Sequence, residues 1–153
     1  MKRYSGMRVL VTGADGFIGS HVVEALLQEG ALVRAFCLYN SVGSRGWLEG
    51  LPPEQADRIE FRLGDIRDAR FVEEAVAGMD VVLHLAALIA IPYSYQAPQS
   101  FVDTNVSGTL NVLEAPRRHR TRRVVHTSTS EVYGTPATTP IRETHPLQGQ
   151  SPY

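Results

Sequence analysis

The stretch 8–19, Arg-Val-Leu-Val-Thr-Gly-Ala-Asp-Gly-Phe-Ile-Gly, leaves few folds open to this chain. Its first apolar run, Val9-Leu10-Val11, suits a strand buried on both faces. The strand breaks at Gly13, and apolar side chains then recur every fourth residue at Ile18, Val22 and Leu26 until Gly30 supplies a stop. Strand, glycine turn and helix make the first half of a βαβ unit. Gly13 permits a sharp turn, Gly16 leaves bare backbone where a pyrophosphate approaches, and Gly19 lets the helix pack closely on the strand. The free N–H groups and positive dipole end of the new helix then face the phosphates. The spacing is G-x-x-G-x-x-G rather than G-x-G-x-x-G. Its place directly between a strand and an amphipathic helix makes it a dinucleotide site rather than a glycine-rich loop.

The remaining chain repeats the alternation. Leu32–Cys37 reads as a second strand, followed by a mostly irregular, Gly/Pro-rich stretch at 40–57 with a short helix near Trp47. An acidic residue near the end of this strand commonly holds the adenine ribose hydroxyls. Cys37, Leu38, Tyr39 and Asn40 offer no carboxylate, so NAD and NADP both stay open, with Arg34 or Arg45 available to a 2′-phosphate. Ile59, Phe61 and Leu63 alternate with Arg58, Glu60 and Arg62, a pattern expected of a strand near a sheet edge. Asp68 is placed to cap a helix carrying Phe71, Val72, Ala75 and Val76, which Gly78 ends. Asp80–His84 is a fourth strand, Leu85-Ala86-Ala87 continues from its end, and 89–98 is a loop with Tyr93, Ser94 and Tyr95. A long helix is expected over 99–118 with Val102, Val106, Leu110 and Leu113 on one side, and Arg123–Thr127 forms a fifth strand. This order implies an α/β fold with a parallel, doubly wound sheet whose ligands bind beyond the carboxyl ends of the strands. Gly13–Gly19, Asp65, Leu85–Ala87 and Thr127–Glu131 all fall at those ends.

Composition narrows the partners. With 153 residues, 43% hydrophobic and 20% charged at a net charge of −1, the chain has enough material for one core and no bias toward nucleic acid or a membrane surface. The basic run Arg117, Arg118, Arg120, Arg122, Arg123 reads as a solvated helix end. Cys37 is the lone cysteine, which fits a reducing compartment and a core position. No signal-like or membrane-spanning run is present, so a cytoplasmic location is expected. His84 and His126 read as packing residues at strand ends, and no metal ligand set is expected.

Beyond the fifth strand, Ser128-Thr129-Ser130-Glu131-Val132-Tyr133-Gly134 brings hydroxyls and a carboxylate to the ligand side, where Glu131 could take a proton from carbon. Tyr153 is the last residue, and a tyrosine serves as a base only where a nearby cation lowers its pKa. The chain resembles the extended short-chain dehydrogenase/reductase family, in its nucleotide-sugar epimerase/dehydratase branch. The resemblance rests on Thr12-Gly13-Ala14-Asp15-Gly16-Phe17-Ile18-Gly19, Gly64-Asp65-Ile66-Arg67-Asp68, His84-Leu85-Ala86-Ala87 and Thr104-Asn105-Val106-Ser107-Gly108-Thr109-Leu110-Asn111. Thr129-Ser130-Glu131 is similar to the GDP-mannose type of 4,6-dehydratase. The runs 84–95 and 147–153 resemble bacterial 4,6-dehydratases of nucleotide-linked N-acetylglucosamine in legionaminic-acid-type pathways.

The resemblance implies a Rossmann-type doubly wound sheet with helices on both faces, without the last strands and the substrate domain. It implies NAD, or NADP, held by Gly13, Asp15, Gly16, Phe17, Ile18, Gly19, Asp65, Ile66, Leu85, Ala86, Ala87 and Thr104, and catalysis by Thr129, Glu131 and Tyr153. Tyr153 with Thr129 would take the O4 proton of a nucleotide sugar as C4 is oxidised. Glu131 would remove the C5 proton as the C6 hydroxyl leaves, and hydride return to C6 would give a 4-keto-6-deoxy sugar. Ser130 stands where related enzymes carry an Asp acid, and the family's Tyr-x-x-x-Lys pair is represented only by Tyr153. The 153 residues therefore read as the amino-terminal part of an enzyme, a dinucleotide-binding domain not expected to turn over alone. Family members commonly dimerise through the helix here at 99–118 together with the helix that carries the Tyr-Lys pair, which implies a homodimer for the full-length enzyme. A UDP-glucuronate decarboxylase, a 4-epimerase and a non-catalytic dinucleotide-binding module are the alternatives; neither the nucleotide nor the sugar is specified.

Overall fold

The computed structural model describes residues 3–153. Five parallel strands form one sheet in the order β3-β2-β1-β4-β5. In chain order the elements are β1 (Arg8–Thr12), α1 (Phe17–Gln28), β2 (Leu32–Leu38), a 3₁₀ turn (Gly46–Gly50), α2 (Pro53–Ala56) and β3 (Ile59–Gly64). Then come α3 (Ala69–Val76), β4 (Val81–His84), α4 (Ile91–Ser94), α5 (Pro98–Phe101), a π-helical segment (Val102–Gly108), α6 (Thr109–His119), β5 (Arg123–His126) and a second 3₁₀ turn (Ser130–Tyr133). The chain winds from β1 to the β3 edge, then crosses to β4 on the other side of β1. The strand order thus reverses between β1 and β4, the place where such sheets bind ligands.

β1 sits at the centre because both its faces are apolar. Val9 and Val11 point toward α1, into a core with Val23, Leu26, Leu27, Val33 and Ala35. Leu10 points the other way, into a core with Phe36, Val72, Val76, Val82 and Val112 from the α3 and α6 side. β3, with alternating charged residues, takes the sheet edge as its pattern requires. Asp68 caps α3, its side chain accepting from the Arg70 and Phe71 N–H groups. Cys37 is fully buried; burial foremost, then the Asp15 carboxylate, pushes its thiol up to about 12.

Three expectations need correction. The buried face of α1 is Gly19, Ser20, Val23, Leu26 and Leu27, while Ile18 is 61% exposed. Ile18 lies in the first helical turn, above the carboxyl end of β1, where no layer packs over it. The long helix begins at Pro98 and widens into π geometry between α5 and α6. Its Val102, Val106, Leu110 and Leu113 face outward, whereas Phe101, Gly108, Val112 and Ala115 are buried, Val112 and Ala115 in the core on the α3 side of the sheet. The 89–98 loop contains the helical turn α4, with a proline in its first turn.

A recess of about 500 Å³ lies between α1 and the apolar face of β1, β4 and β5, lined by Tyr4, Met7, Val9, Leu83 and Val125. It is an uncovered sheet face rather than a convergence of polar groups. The chemistry-bearing residues gather instead at the carboxyl ends of the strands.

Candidate dinucleotide and active site at the strand ends

The floor of the site is a hydrogen-bonded junction between β1 and β4. The Thr12 hydroxyl oxygen accepts from the Leu85 and Ala86 N–H groups, each at 3.2 Å. Its own proton therefore goes to His84 Nδ1, 2.7 Å away. That leaves the His84 proton on Nε2, which donates to Thr109 Oγ1 at 3.0 Å. The ring is 1% exposed, and burial, then the neighbouring His126, pulls its pKa down to about 4, so His84 is neutral near pH 7. Gly13 rests on this junction with a φ of 67°; a Cβ there would stand 2.8 Å from the Ala86 backbone nitrogen. A side chain at Gly19 would run into the Gly13 carbonyl oxygen, so strand, turn and helix close on one another only with glycine at both places. Gly16 precedes the first turn of α1 without a side-chain cap, and Phe17 and Ile18 stand exposed at the helix start. Bare backbone donors at a helix N-terminus, backed by small Ala86 and Ala87, form a cradle that fits a pyrophosphate. Motif reading left Thr12, His84 and Thr109 without a role at the strand ends, since only the fold brings β1, β4 and α6 together.

A second strand-end cluster lies toward the β2–β3 side. Arg67 grips the Asp65 carboxylate with its Nε and a guanidinium nitrogen as well as its backbone N–H, and this holds the Asp65 pKa below its ordinary value. The Ile66 side chain is core, packed against Gly108, so its backbone faces the site. Asn111 Nδ2 donates to the Ile66 and Arg67 carbonyls at 3.0 and 3.1 Å, pinning this loop to α6. Arg34 is not available to a 2′-phosphate: it donates to the Ala75 and Ala77 carbonyls at the end of α3 and pairs with Glu60 at 2.8 Å. Arg45 lies over the Phe61 ring, 4.1 Å from its centroid. The Asp15 carboxylate accepts the Leu38 N–H at 3.2 Å, at the end of β2.

The third strand-end cluster follows β5. Thr129 caps the 3₁₀ turn Ser130–Tyr133, its Oγ1 accepting the Glu131 N–H at 3.2 Å, and Glu131 is exposed. The segment returns alongside: Gln148 N–H donates to the Val132 carbonyl at 2.8 Å, and the Tyr95 hydroxyl donates to the Gln150 carbonyl at 3.1 Å. Tyr153 is half-buried, its ring edge-on to Phe101 at 6.2 Å. Among the described residues no hydrogen bond joins Tyr153 to Thr129 or Glu131. Thr104 is half-buried in the π-helical segment. Beside it Asn105 grips the Leu88 backbone with both amide atoms at 2.9 Å. Asn105 and Asn111 thus act as clamps on two strand-end loops, a role their spacing alone does not announce. No group of three or more potential metal-ligating side chains occurs among the described residues.

With these strand ends assembled, the match to known proteins has structural meaning. Residues 10–153 match the model of the GDP-mannose 4,6 dehydratase family. The chain belongs to that family. It is 42% identical over 152 residues to a dTDP-glucose 4,6-dehydratase of Mycolicibacterium smegmatis, covering 96% of this chain and 44% of that protein. Among solved structures, a dTDP-glucose 4,6-dehydratase from Streptomyces venezuelae with NAD bound is 39% identical with a TM-score of 0.82, covering 96% of this chain and 47% of that one. A UDP-N-acetylglucosamine 4-epimerase from Methanobrevibacter ruminantium reaches a TM-score of 0.86 at 31% identity, over 97% of this chain and 46% of that one. The chain therefore spans less than half the length of these family relatives. The family holds both dehydratases and epimerases on one Rossmann-like parallel sheet. No helix among the described residues is long and apolar enough to cross a membrane.

Proposed function

We propose that this chain supplies the cofactor-binding and proton-transfer half of an NAD-dependent nucleotide-sugar 4,6-dehydratase, a hydro-lyase acting on a nucleotide-linked N-acetylhexosamine. The observation that carries the reading is Glu131, an exposed carboxylate on a Thr129-capped turn at the carboxyl end of β5. A 4-epimerase has no carbon acid to ionise at C5, whereas elimination of water across C5 and C6 requires a base there. NAD bound over the Thr12–His84 floor would accept and return the hydride. Tyr153 and Thr129 hold and remove the O4 proton. Glu131 takes the C5 proton, made acidic by the adjacent ketone. Ser130 is too weak an acid to protonate the leaving hydroxyl, so Glu131 or a water supplies that proton and water departs, and C5 takes a proton from solvent as hydride returns to C6.

The reading rests on relatives in this branch of the family and on the resemblance of 84–95 and 147–153 to N-acetylglucosamine-type dehydratases. In it residues 1–153 form the dinucleotide domain, the lysine partner of Tyr153 and the sugar-binding domain lie elsewhere in a longer polypeptide, and 153 residues alone do not turn over. It carries a cytoplasmic location, where dinucleotide and nucleotide sugars are both soluble, and a homodimer through the outward Val102, Val106, Leu110 and Leu113. Light scattering on the purified protein reads that assembly directly, and a monomer overturns it.

The test is to incubate the full polypeptide with UDP- and GDP-linked N-acetylglucosamine in deuterated water and follow the products. A 4-keto-6-deoxy sugar with deuterium at C5 is expected, and Glu131→Gln lowers turnover by about 10³-fold while NAD binding persists. Carbon dioxide from a UDP-glucuronate substrate points to a decarboxylase. The 4-epimerase reading has the M. ruminantium structure in its favour; inversion at C4 without solvent deuterium decides for it.

A further inference from the structure

The adenosine end lacks the group that such sites usually carry. β2 ends at Leu38, and Leu38, Tyr39 and Asn40 include no carboxylate to hold the ribose hydroxyls. Asn40 is no substitute, because its side chain is spent within its own loop. Its Oδ1 accepts from the Val42 and Ser44 N–H groups, and its Nδ2 donates to the Ser44 carbonyl. Of the cations nearby, Arg34 is committed to the end of α3 and to Glu60, whereas Arg45 lies exposed over the face of Phe61 and makes no salt bridge among the described residues.

One carboxylate remains, and it arrives from the glycine turn rather than from β2. Asp15 Oδ2 accepts the Leu38 N–H at 3.2 Å, which fixes the carboxylate at the carboxyl end of β2. The Asp15 carbonyl accepts the Trp47 N–H at 3.0 Å, so the loop after β2 is tied to the same residue. The side chain is half-buried, and among the described residues its Oδ1 has no hydrogen-bond partner. A carboxylate offers about four lone-pair sites, of which the structure uses one.

We propose that Asp15 is the acceptor for the adenosine ribose 2′-hydroxyl and thereby makes this site select NAD over NADP. The hydroxyl donates to Oδ1, doing from the turn what an acidic residue at the strand end does elsewhere. A 2′-phosphate at the same place brings two negative charges against that carboxylate and loses the donated proton as well. The inference rests on the dinucleotide reading of the site and adds which dinucleotide it takes and through which atom.

Calorimetric titration of the full polypeptide, stripped of copurifying dinucleotide, tests it with NAD, NADP and 2′-deoxy-NAD as probes. The unaltered protein is expected to bind NAD about 100-fold tighter than NADP and about 10-fold tighter than 2′-deoxy-NAD. Asp15→Asn keeps an oxygen for the Leu38 N–H and removes the charge, so the NAD-to-NADP ratio falls by about 10-fold or more. In Asp15→Ala the advantage of NAD over 2′-deoxy-NAD disappears. A purely structural Asp15 would weaken all the probes in proportion and leave both ratios unchanged, which overturns the proposal. Equal binding of NAD and NADP by the unaltered protein overturns it too. Failure of every probe to bind, with the protein folded by circular dichroism, instead overturns the dinucleotide reading beneath it.

Discussion

Two strands deliver the two halves of the site, and they are built very differently. β1 lies between β2 and β4 with Val9, Leu10 and Val11 fully buried, and the turn it feeds is locked by Thr12, Gly13 and Gly19. β5 pairs with β4 alone, and Arg123, Val125 and His126 are exposed. Its following turn is tied down by a few bonds, from Thr127 to the His84 carbonyl and from Gln148 to the Val132 carbonyl. The β1 end is therefore held by core packing. The β5 end, to which the proposed function assigns proton transfer, takes its position from hydrogen bonds at the surface, which solvent can replace at little cost. A pyrophosphate cradle must exist before the ligand arrives, whereas acid–base groups need accurate placement only with substrate bound.

The sharpest way to break the contrast is at Gly13. Gly13→Val puts a β-branched side chain at positive φ and against the Ala86 backbone, so a loss of about 3 kcal/mol or more in urea unfolding is expected, with dinucleotide binding abolished. A stable Gly13→Val that still binds NAD would mean the turn is not the cradle. The next effect is a pH dependence. His84 titrates at about 4 in the fold against an ordinary 6.5, so the unfolded chain holds more protons between those values. Stability then falls as pH drops from 6.5 to about 4, by up to about 3 kcal/mol, and is insensitive to this group outside that window. His84→Asn flattens the slope across that window in urea titrations; an unchanged slope assigns it to other groups. The smallest effects separate the strands themselves. Val11→Ala should cost about 2 kcal/mol because the cavity is enclosed, and Val125→Ala, at a site 46% exposed, less than about 0.5 kcal/mol. Equal losses at the two sites would erase the distinction between packed and surface-held halves.

Legibility followed the range of the interactions. The β1 strand, the glycine turn, the Asp68 cap and the edge character of β3 depend on neighbours a few residues away, and the sequence shows all of them. Periodicity was less reliable for facing. Ile18 belongs to the fourth-residue pattern of α1 yet points outward, and the apolar series Val102, Val106, Leu110, Leu113 lies on the outer side of its helix. An amphipathic pattern identifies a stripe without stating which surface covers it, and here the π-helical widening turns Asn105 and Thr109 inward to the strand ends. The Glu131 turn was visible as a motif, but nothing local reveals that Tyr153 returns to Phe101.

By itself the sequence determined the fold class, the strand–turn–helix unit and the family, because these rest on local periods, motif spacing and glycine sterics. Only the tertiary structure decided that Thr12 and His84, 72 residues apart, share a proton. It likewise decided that Arg34 serves the end of α3 and that Asp15 reaches the end of β2. Each of those depends on which buried polar group meets which partner across the sheet. Burial makes an unmet partner costly, but the choice among partners belongs to three-dimensional packing and not to spacing along the chain.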